Sequence, residues 1–306
     1  MPMSGAGRGH EGFTSSRARQ VMVEACGAAG LDSGGVRLIR LGENALFRLE
    51  RQPVIVRIAR SEEYLDSARR EVGVSRWLAD EGFPAAQVVE DIEQAVVVSG
   101  HPVTFWRRIE ESGRAATYGE LGSILRELHA LRMPETLVLP RFEPMGRSVL
   151  RIEKATGISE SDRKFLRERH RQLEREIGQL SFASPVGPVH GDAHVQNLMV
   201  DRSDRVILID FEVFCRDHPE WDLMVTATEH DSLGWQTPDQ YAEFVGAYGR
   251  DLRDWPGFPT LRAVQEFKMT TWLMQNVGES DEVAREYARR IASLRDDQAP
   301  RDWHPG

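Results

Sequence analysis

The chain has 306 residues, a formal net charge of −9, 41% hydrophobic and 28% charged residues. That length suggests about two domains. The acidic balance argues against a surface built to neutralise phosphate backbones, so no nucleic-acid partner is expected. No apolar run approaches the roughly 18 residues of a membrane helix, so no membrane partner is expected either. No charged-then-apolar leader opens the sequence, and two cysteines, Cys26 and Cys215, are too few for a disulfide framework. Both features point to the cytoplasm. Cys215 reads as a small packing residue. Lysine is scarce: Lys154, Lys164 and Lys268 are the only ones, so a functional cation in the first 150 residues has to be arginine or histidine.

In chain order, residues 1–14 are rich in Gly and small polar residues and are expected to be disordered. A helix is expected over 15–29, closing near Gly30. Short β-branched or alternating runs follow at 36–41, 45–50 and 54–59, split by "GEN" and "RQP"; others lie at 86–92, 95–98 and 102–109. Between these groups, 61–82 reads as a helix with Ser61 as N-cap and Gly82 as terminator. The expectation is a five-stranded antiparallel sheet with one inserted helix, over 15–110. From about 111 the pattern turns helical. Stripes of helical period run through Leu121, Ile124, Leu125, Leu128 and Leu131, and through Phe165, Leu166, Leu173, Ile177 and Leu180. Further helices are expected over about 219–230, 238–249, 259–277 and 281–295. One segment interrupts them: "VHGDAHVQNLMVDRSDRVILIDFE", 189–212, reads as a loop followed by a hairpin of two short strands. The fold class is α+β, a small β lobe followed by a larger helical lobe over 111–306.

That segment carries the chemistry. His190, Asp192 and His194 share one loop, Asn197 follows, and Asp210 and Glu212 close the second apolar run. Acids abutting strand-like runs are costly to desolvate unless a cation or hydrogen-bond donors meet them. The Asp-to-Asn spacing equals that of the protein-kinase catalytic loop, H-R-D-x-x-x-x-N. Asn197 and Asp210 bracket the expected hairpin, and hard oxygen ligands of this kind suit Mg²⁺. "HGDAHVQN" followed by "IDFE" resembles the motif pair of the aminoglycoside phosphotransferase and choline kinase group, relatives of protein kinases. The resemblance spans about 34–280. It implies a two-lobe, protein-kinase-like fold with Asp192 as catalytic base or hydroxyl-orienting carboxylate. Asn197 and Asp210 would be metal ligands, and His190 would hold the loop by hydrogen bonds. In "HPEWDLM", 218–224, Asp222 would be structural.

The resemblance also implies that the β lobe holds ATP, or GTP, with Mg²⁺. Kinase-like lobes use a strand cation paired to a helix glutamate. Arg57 stands on the third strand where lysine is common, and Glu71 lies on the inward stripe Tyr64, Ala68, Glu71, Ser75 and Leu78, so Arg57 and Glu71 are expected to pair. Arginine has a planar fork and a different reach from lysine, which leaves its phosphate contact open. In "LGENALF", 41–47, Gly42 and Asn44 allow a tight turn whose amides, or the Asn44 side chain, meet phosphates; Gly and Asn mark ordinary hairpins equally well. Adenine is expected against 104–110, with Trp106, Arg107, Arg108 and Ile109 as its neighbours.

The acceptor is expected to be a small hydroxylated molecule: an aminoglycoside-like antibiotic, an amino alcohol or a sugar. The acidic balance favours a cationic one, met by residues drawn from Glu212, Glu229, His230, Asp231, Trp235, Glu266 and Trp272. His129 reads as a satisfied structural histidine. The chain is expected to act as a monomer or homodimer. Two rivals remain at this stage. One is a metal-dependent hydrolase using His190, Asp192, His194 and Asp210; the other is a catalytically silent kinase-like binding protein.

Overall fold

The computed structural model describes residues 13–42, 44–296 and 298–304. It divides into two compact units. The first takes the chain up to Gly113 together with Asp201–Glu212; the second takes Arg114–Val200 and Val213–Gly306.

The first unit opens on helix α1, Ser15–Ala28, capped by the Thr14 hydroxyl, which accepts from the Arg17 N–H at 3.2 Å. Thr14 serves as this cap and Phe13 lies 5.1 Å from the His101 ring, so residues 13 and 14 of the segment expected to be disordered are placed. Residues 1–12 lie outside the described residues. Strands β1 (Arg37–Leu41), β2 (Asn44–Arg48), β3 (Val54–Ala59), β4 (Val96–Val98) and β5 (His101–Arg107) form one antiparallel sheet in the order β1-β2-β3-β5-β4. Side chains alternate across a strand. Val54, Val56 and Ile58 therefore bury one face against Val21, Met22 and Cys26 of α1, leaving Arg57 on the other.

Helix α2 runs over Leu65–Asp80, after a single turn of 3₁₀ helix at Glu62–Tyr64. Ser61 stands at the N-cap of that turn, but its side chain makes no capping bond, contrary to the expected role. Gly82 ends the helix at φ +69°, a conformation that glycine adopts without the strain a Cβ brings. The run 86–92 does not form a strand. Only Val88 bridges Trp106, and its N–H goes to the Ser75 hydroxyl at 3.0 Å. The flanking bonds run from the Val89 N–H to the Phe105 carbonyl at 2.9 Å and from the Arg107 N–H to the Gln87 carbonyl at 2.7 Å, so the Val88 N–H points away from β5 and toward α2.

The second unit is largely helical: α3 (Tyr118–Ala130), α4 (Ser148–Lys154), α5 (Glu160–Ile177), α6 (Glu220–Asp231), α7 (Pro238–Tyr248), α8 (Phe258–Leu273) and α9 (Asp281–Arg295). Short strands β6 (Gly187–Val189) and β9 (Cys215–Asp217) pair antiparallel. Strand β7, Leu198–Val200, ends this unit's first segment. Helix α4 and the β6–β9 pair are additions to the expected elements. On α3, Leu121, Leu125 and Leu128 are fully buried, each stabilising the fold by roughly 1.5–3 kcal/mol. Gly122 lets α7 come close, since a Cβ there would meet the Phe244 carbonyl oxygen at 2.4 Å.

The unit boundary differs from the expected break at 110 in one instructive way. Strand β8, Val206–Leu208, belongs with the first unit. The Leu208 N–H donates to the Pro84 carbonyl at 2.9 Å, and the Leu208 carbonyl accepts from the Ala86 N–H at 2.8 Å. The Arg202 N–H reaches the Glu110 carbonyl at 2.9 Å. Segment 201–212 is therefore bound to the sheet-bearing unit by backbone bonds that the sequence does not advertise.

Candidate active site

In the first unit, Arg57 is the centre of a polar cluster. Its Nη1 donates to Glu71 Oε2 at 2.5 Å and its Nη2 to Glu212 Oε2 at 3.0 Å. The Asn44 side-chain amide, turned so that its oxygen faces the guanidinium, accepts from Nη2 at 2.9 Å and Nε at 3.2 Å. The structure thus forms the expected Arg57–Glu71 pair and adds two members. Burial pushes the Glu71 carboxyl up from its ordinary range while the Arg57 charge pulls it down, and burial prevails. Burial opposes the charge on Arg57, but Glu71, Asp210 and Glu212 outweigh it and hold its pKa above the usual value. One guanidinium therefore faces three carboxylates. Asp210 itself is exposed and holds a left-handed backbone at φ +67°.

The other residues expected around a nucleotide are placed as follows. The Gly42 N–H donates to the Asn44 carbonyl at 3.0 Å, closing the turn between β1 and β2. The Asn44 side chain is committed to Arg57. Trp106 is half-buried, its indole N–H on the Thr104 hydroxyl at 2.9 Å and its ring 6.2 Å from Phe211. The N–H groups of Arg107 and Arg108 are engaged with the carbonyls of Gln87 and Pro53, at 2.7 and 2.8 Å. Their side chains pair with Glu90 and Glu110. Ile109 is half-buried just past the end of β5.

In the second unit, the loop between β6 and β7 is tied down by Asp222 of α6, which is fully buried. Its Oδ2 accepts from the His190 N–H at 2.8 Å and from His129 Nε2 at 2.9 Å; its Oδ1 accepts from the Gly191 N–H at 2.7 Å. His129 Nδ1 lies 3.0 Å from the Tyr248 hydroxyl, so both its ring nitrogens are used structurally. Gly191 adopts φ +84°, and a Cβ there would meet the Val213 carbonyl oxygen at 2.5 Å. The next side chain, Asp192, is 57% exposed. Its Oδ2 lies 3.3 Å from His194 Nε2. Burial opposes the Asp192 charge, yet the His194 bond prevails and holds its carboxyl below the usual range. His194 responds in kind: burial opposes its charge, but Asp192 raises its pKa above the ordinary histidine value.

Asn197 is buried, and its Nδ2 donates to the Asp192 carbonyl at 2.8 Å, with Asp192 Oδ2 at 3.4 Å and His194 Nε2 at 3.2 Å. With the amide nitrogen so used, Oδ1 is the atom left to meet a ligand. An amide oxygen here, and an exposed carboxylate at Asp210, are hard donors that fit Mg²⁺. Among the described residues, no group of three or more His, Cys, Asp and Glu is arranged to hold a metal ion.

The residues expected to face the acceptor divide sharply. Glu212 is on Arg57. Asp231 pairs with Arg262 at 2.8 Å. Glu266, 3% exposed, accepts from the Ser232 hydroxyl at 2.5 Å and lies near Arg262 and Arg301. Trp235 donates to the Trp303 carbonyl at 2.9 Å, and His230 stacks on Tyr241 at 4.3 Å. Trp272 is 49% exposed. Of these candidates, Glu229 is the one whose charge is coupled to the loop: it is felt at His194, and Asp192 is felt at Glu229. Gln236 Nε2 donates to it at 2.5 Å. Burial pushes its carboxyl up to about 7, against the pull of His194 and Gln236. Sequence reasoning missed Gln236 and gave Lys268 no role. Gln236 is 3% exposed, and its Oε1 has no partner among the described residues. Lys268 of α8 sits 5.1 Å over the Phe142 ring; burial pulls its pKa down, with Asp192 opposing.

Residues 39–267 match the model of the phosphotransferase enzyme family. The chain belongs to that family. No curated protein matches it. Solved structures with the same fold include amicoumacin kinase hAmiN in complex with AMP-PNP, Ca²⁺ and Ami. It has a TM-score of 0.71 at 17% identity, over 94% of this chain and 97% of that one. A microcompartment-associated aminopropanol kinase gives 0.66 at 19% identity, over 92% and 95%. A choline/ethanolamine kinase family protein from Mesorhizobium loti gives 0.58 at 17%, over 90% and 94%. The expected fold class is thus found, and the protein is a phosphotransferase. Among the described residues no helix is long and apolar enough to cross a membrane.

Proposed function

We propose that this phosphotransferase is an ATP- and Mg²⁺-dependent kinase of a small alcohol. The observation that carries the reading is the Asp192 loop. A half-exposed carboxylate is favoured in its ionised form by His194, the two backbone N–H groups just before it are pinned by Asp222, and the Asn197 amide is oriented by its own bonds to Asp192. Asp192 would accept the hydrogen bond of the acceptor hydroxyl and aim its oxygen at the γ-phosphorus. As the new O–P bond forms, the bond to the leaving ADP oxygen breaks and the hydroxyl proton passes toward Asp192. Asn197 Oδ1 and the Asp210 carboxylate would hold Mg²⁺, which supplies charge neutralisation on the phosphates. Phosphoryl transfer depends mainly on such positioning and neutralisation.

On the acceptor side, Glu229 and the unpartnered Oε1 of Gln236 are both acceptors of hydrogen bonds, and a buried acceptor without a donor is costly. An amino alcohol answers both, its hydroxyl on Asp192 and its ammonium on Glu229 and Gln236. Solved relatives of the same fold include an aminopropanol kinase and a choline/ethanolamine kinase family protein, which supports this class.

The test is acceptor-dependent ADP release over a panel of amino alcohols, aminoglycosides and neutral sugars. Asp192→Asn should keep the fold and nucleotide binding while losing roughly 10²-fold or more in turnover. Near wild-type turnover in that variant would remove Asp192 from the chemistry.

A further inference from the structure

We infer that Arg57 is a positioning residue that fixes Glu212, and through it Asp210, and is not a phosphate ligand. The inference rests on the reading of Asp210 as a magnesium ligand. A guanidinium carries five N–H donors in a fixed fork. Four of them are turned to protein acceptors here: one Nη1 proton to Glu71, both Nη2 protons to Glu212 and Asn44, and the Nε proton to Asn44. Those acceptors come from three separate pieces of the unit. Asn44 begins β2, Glu71 is on α2, and Glu212 lies 155 residues further along the chain. A lysine ammonium is a point charge on a flexible stem and does not offer this planar fork. The arginine at this position is therefore suited to joining three elements and poorly suited to reaching out of them. The surroundings agree, because its side chain is only 17% exposed and the Glu71 side chain only 6%.

What the joint holds is a strained segment. Asp210 is a non-glycine residue at φ +67°, a conformation that costs on the order of 1–3 kcal/mol and persists only where its surroundings fix it. On one side, Leu208 is bonded to Pro84 and Ala86 through its backbone. On the other, Phe211 is buried, 2% exposed, against the Trp106 ring, and Glu212 is pinned by Arg57. The Glu212 contact thus fixes the segment two residues past Asp210. Residues that orient a metal ligand typically influence metal affinity by roughly 10–100-fold.

The experiment is to titrate the full-length protein with a fluorescent ATP analogue, first in EDTA and then across a Mg²⁺ series. Wild type is compared with Arg57→Gln, Glu212→Ala and Glu212→Gln. The metal-free affinity of all three variants should stay within about twofold of wild type, while the Mg²⁺ concentration giving half of the metal-induced tightening should rise roughly 10–100-fold in Arg57→Gln and Glu212→Ala. Glu212→Gln keeps an oxygen for Nη2 and should retain most of the metal response. A metal-free affinity that drops about tenfold or more in Arg57→Gln would make Arg57 a phosphate ligand and overturn the inference. So would an unchanged Mg²⁺ response in Glu212→Ala, a variant at a partly exposed position that removes the tie without stranding a buried charge. Wild-type protein that binds the analogue in neither condition would instead defeat the nucleotide reading, and this inference with it.

Discussion

The tie between Asp222 and the Asp192 loop can be tested with one atom. In Asp222→Asn a single side-chain oxygen must replace two that now accept three hydrogen bonds. The less costly arrangement keeps the oxygen on the His190 N–H and His129 and turns the new NH₂ toward the Gly191 N–H. That removes one charge-assisted bond, about 1.5–3 kcal/mol, and strands a buried donor, about 1–3 kcal/mol. The expected loss is therefore about 2.5–6 kcal/mol, which brackets the roughly 3–5 kcal/mol found when a buried charged partner is removed. Gly191 precedes Asp192, so freeing its N–H also frees the carboxylate, and a displacement of about 1 Å costs roughly 10²-fold in rate. Urea denaturation should show the midpoint falling at an unchanged slope, and acceptor-dependent ADP release should fall by about two orders of magnitude in the variant at a temperature where it stays folded. A stability within about 1 kcal/mol of wild type together with unaltered turnover would refute the claim that Asp222 holds this loop.

Two further outcomes follow from the same geometry. Gly191→Ala combines a left-handed φ with a Cβ 2.5 Å from the Val213 carbonyl oxygen, so it should lose activity roughly as severely as Asp192→Asn; a variant with normal turnover and melting behaviour would show that the loop tolerates another path. The Glu229 carboxyl, pushed up to about 7, is neutral below that pH and charged above it. Its contribution to folding stability is thus present at low pH and lost as pH rises through about 7, whereas its attraction for an ammonium grows over the same window. The KM of an amino alcohol should fall as pH rises through about 7 while that of a neutral acceptor stays flat. Glu229→Gln should erase the difference; an unchanged pH profile in that variant would remove Glu229 from the acceptor site.

Much of the fold was legible because it follows local rules. Alternation in 54–59 and the period of Leu121, Leu125 and Leu128 each report a buried face, and both faces are found where expected. The exceptions are contacts that lie elsewhere in the chain. Helix α4, "SVLRIEK", exposes Val149 and Leu150 and buries Ser148, so its apolar pattern misstates its inner face. The strands "GPV" and "CRD" are three residues each, and their pairing is visible only in three dimensions. The run 86–92 has strand-like residues, yet its pairing with β5 is confined to the single Val88–Trp106 bridge.

The site divides along the same line. The spacing of Asp192 and Asn197 is a local property, and the structure gives both residues mutual contacts that the spacing alone does not describe. Glu71 was legible as inward-facing because its helix stripe is local too. Glu212 was not, because its partner is 155 residues away, and acidity alone placed it with the acceptor. The same weakness spread the acceptor acids too widely. Asp231 and Glu266 are as acidic in sequence as Glu229, but Arg262 and Ser232 engage them, leaving Glu229 as the acid whose charge is coupled to the Asp192 loop. A net charge of −9 therefore says little about the acceptor. On the proposed reading, what bears on it is a buried amide oxygen that has no donor among the described residues, beside one carboxylate poised near neutrality, a combination that composition cannot reveal.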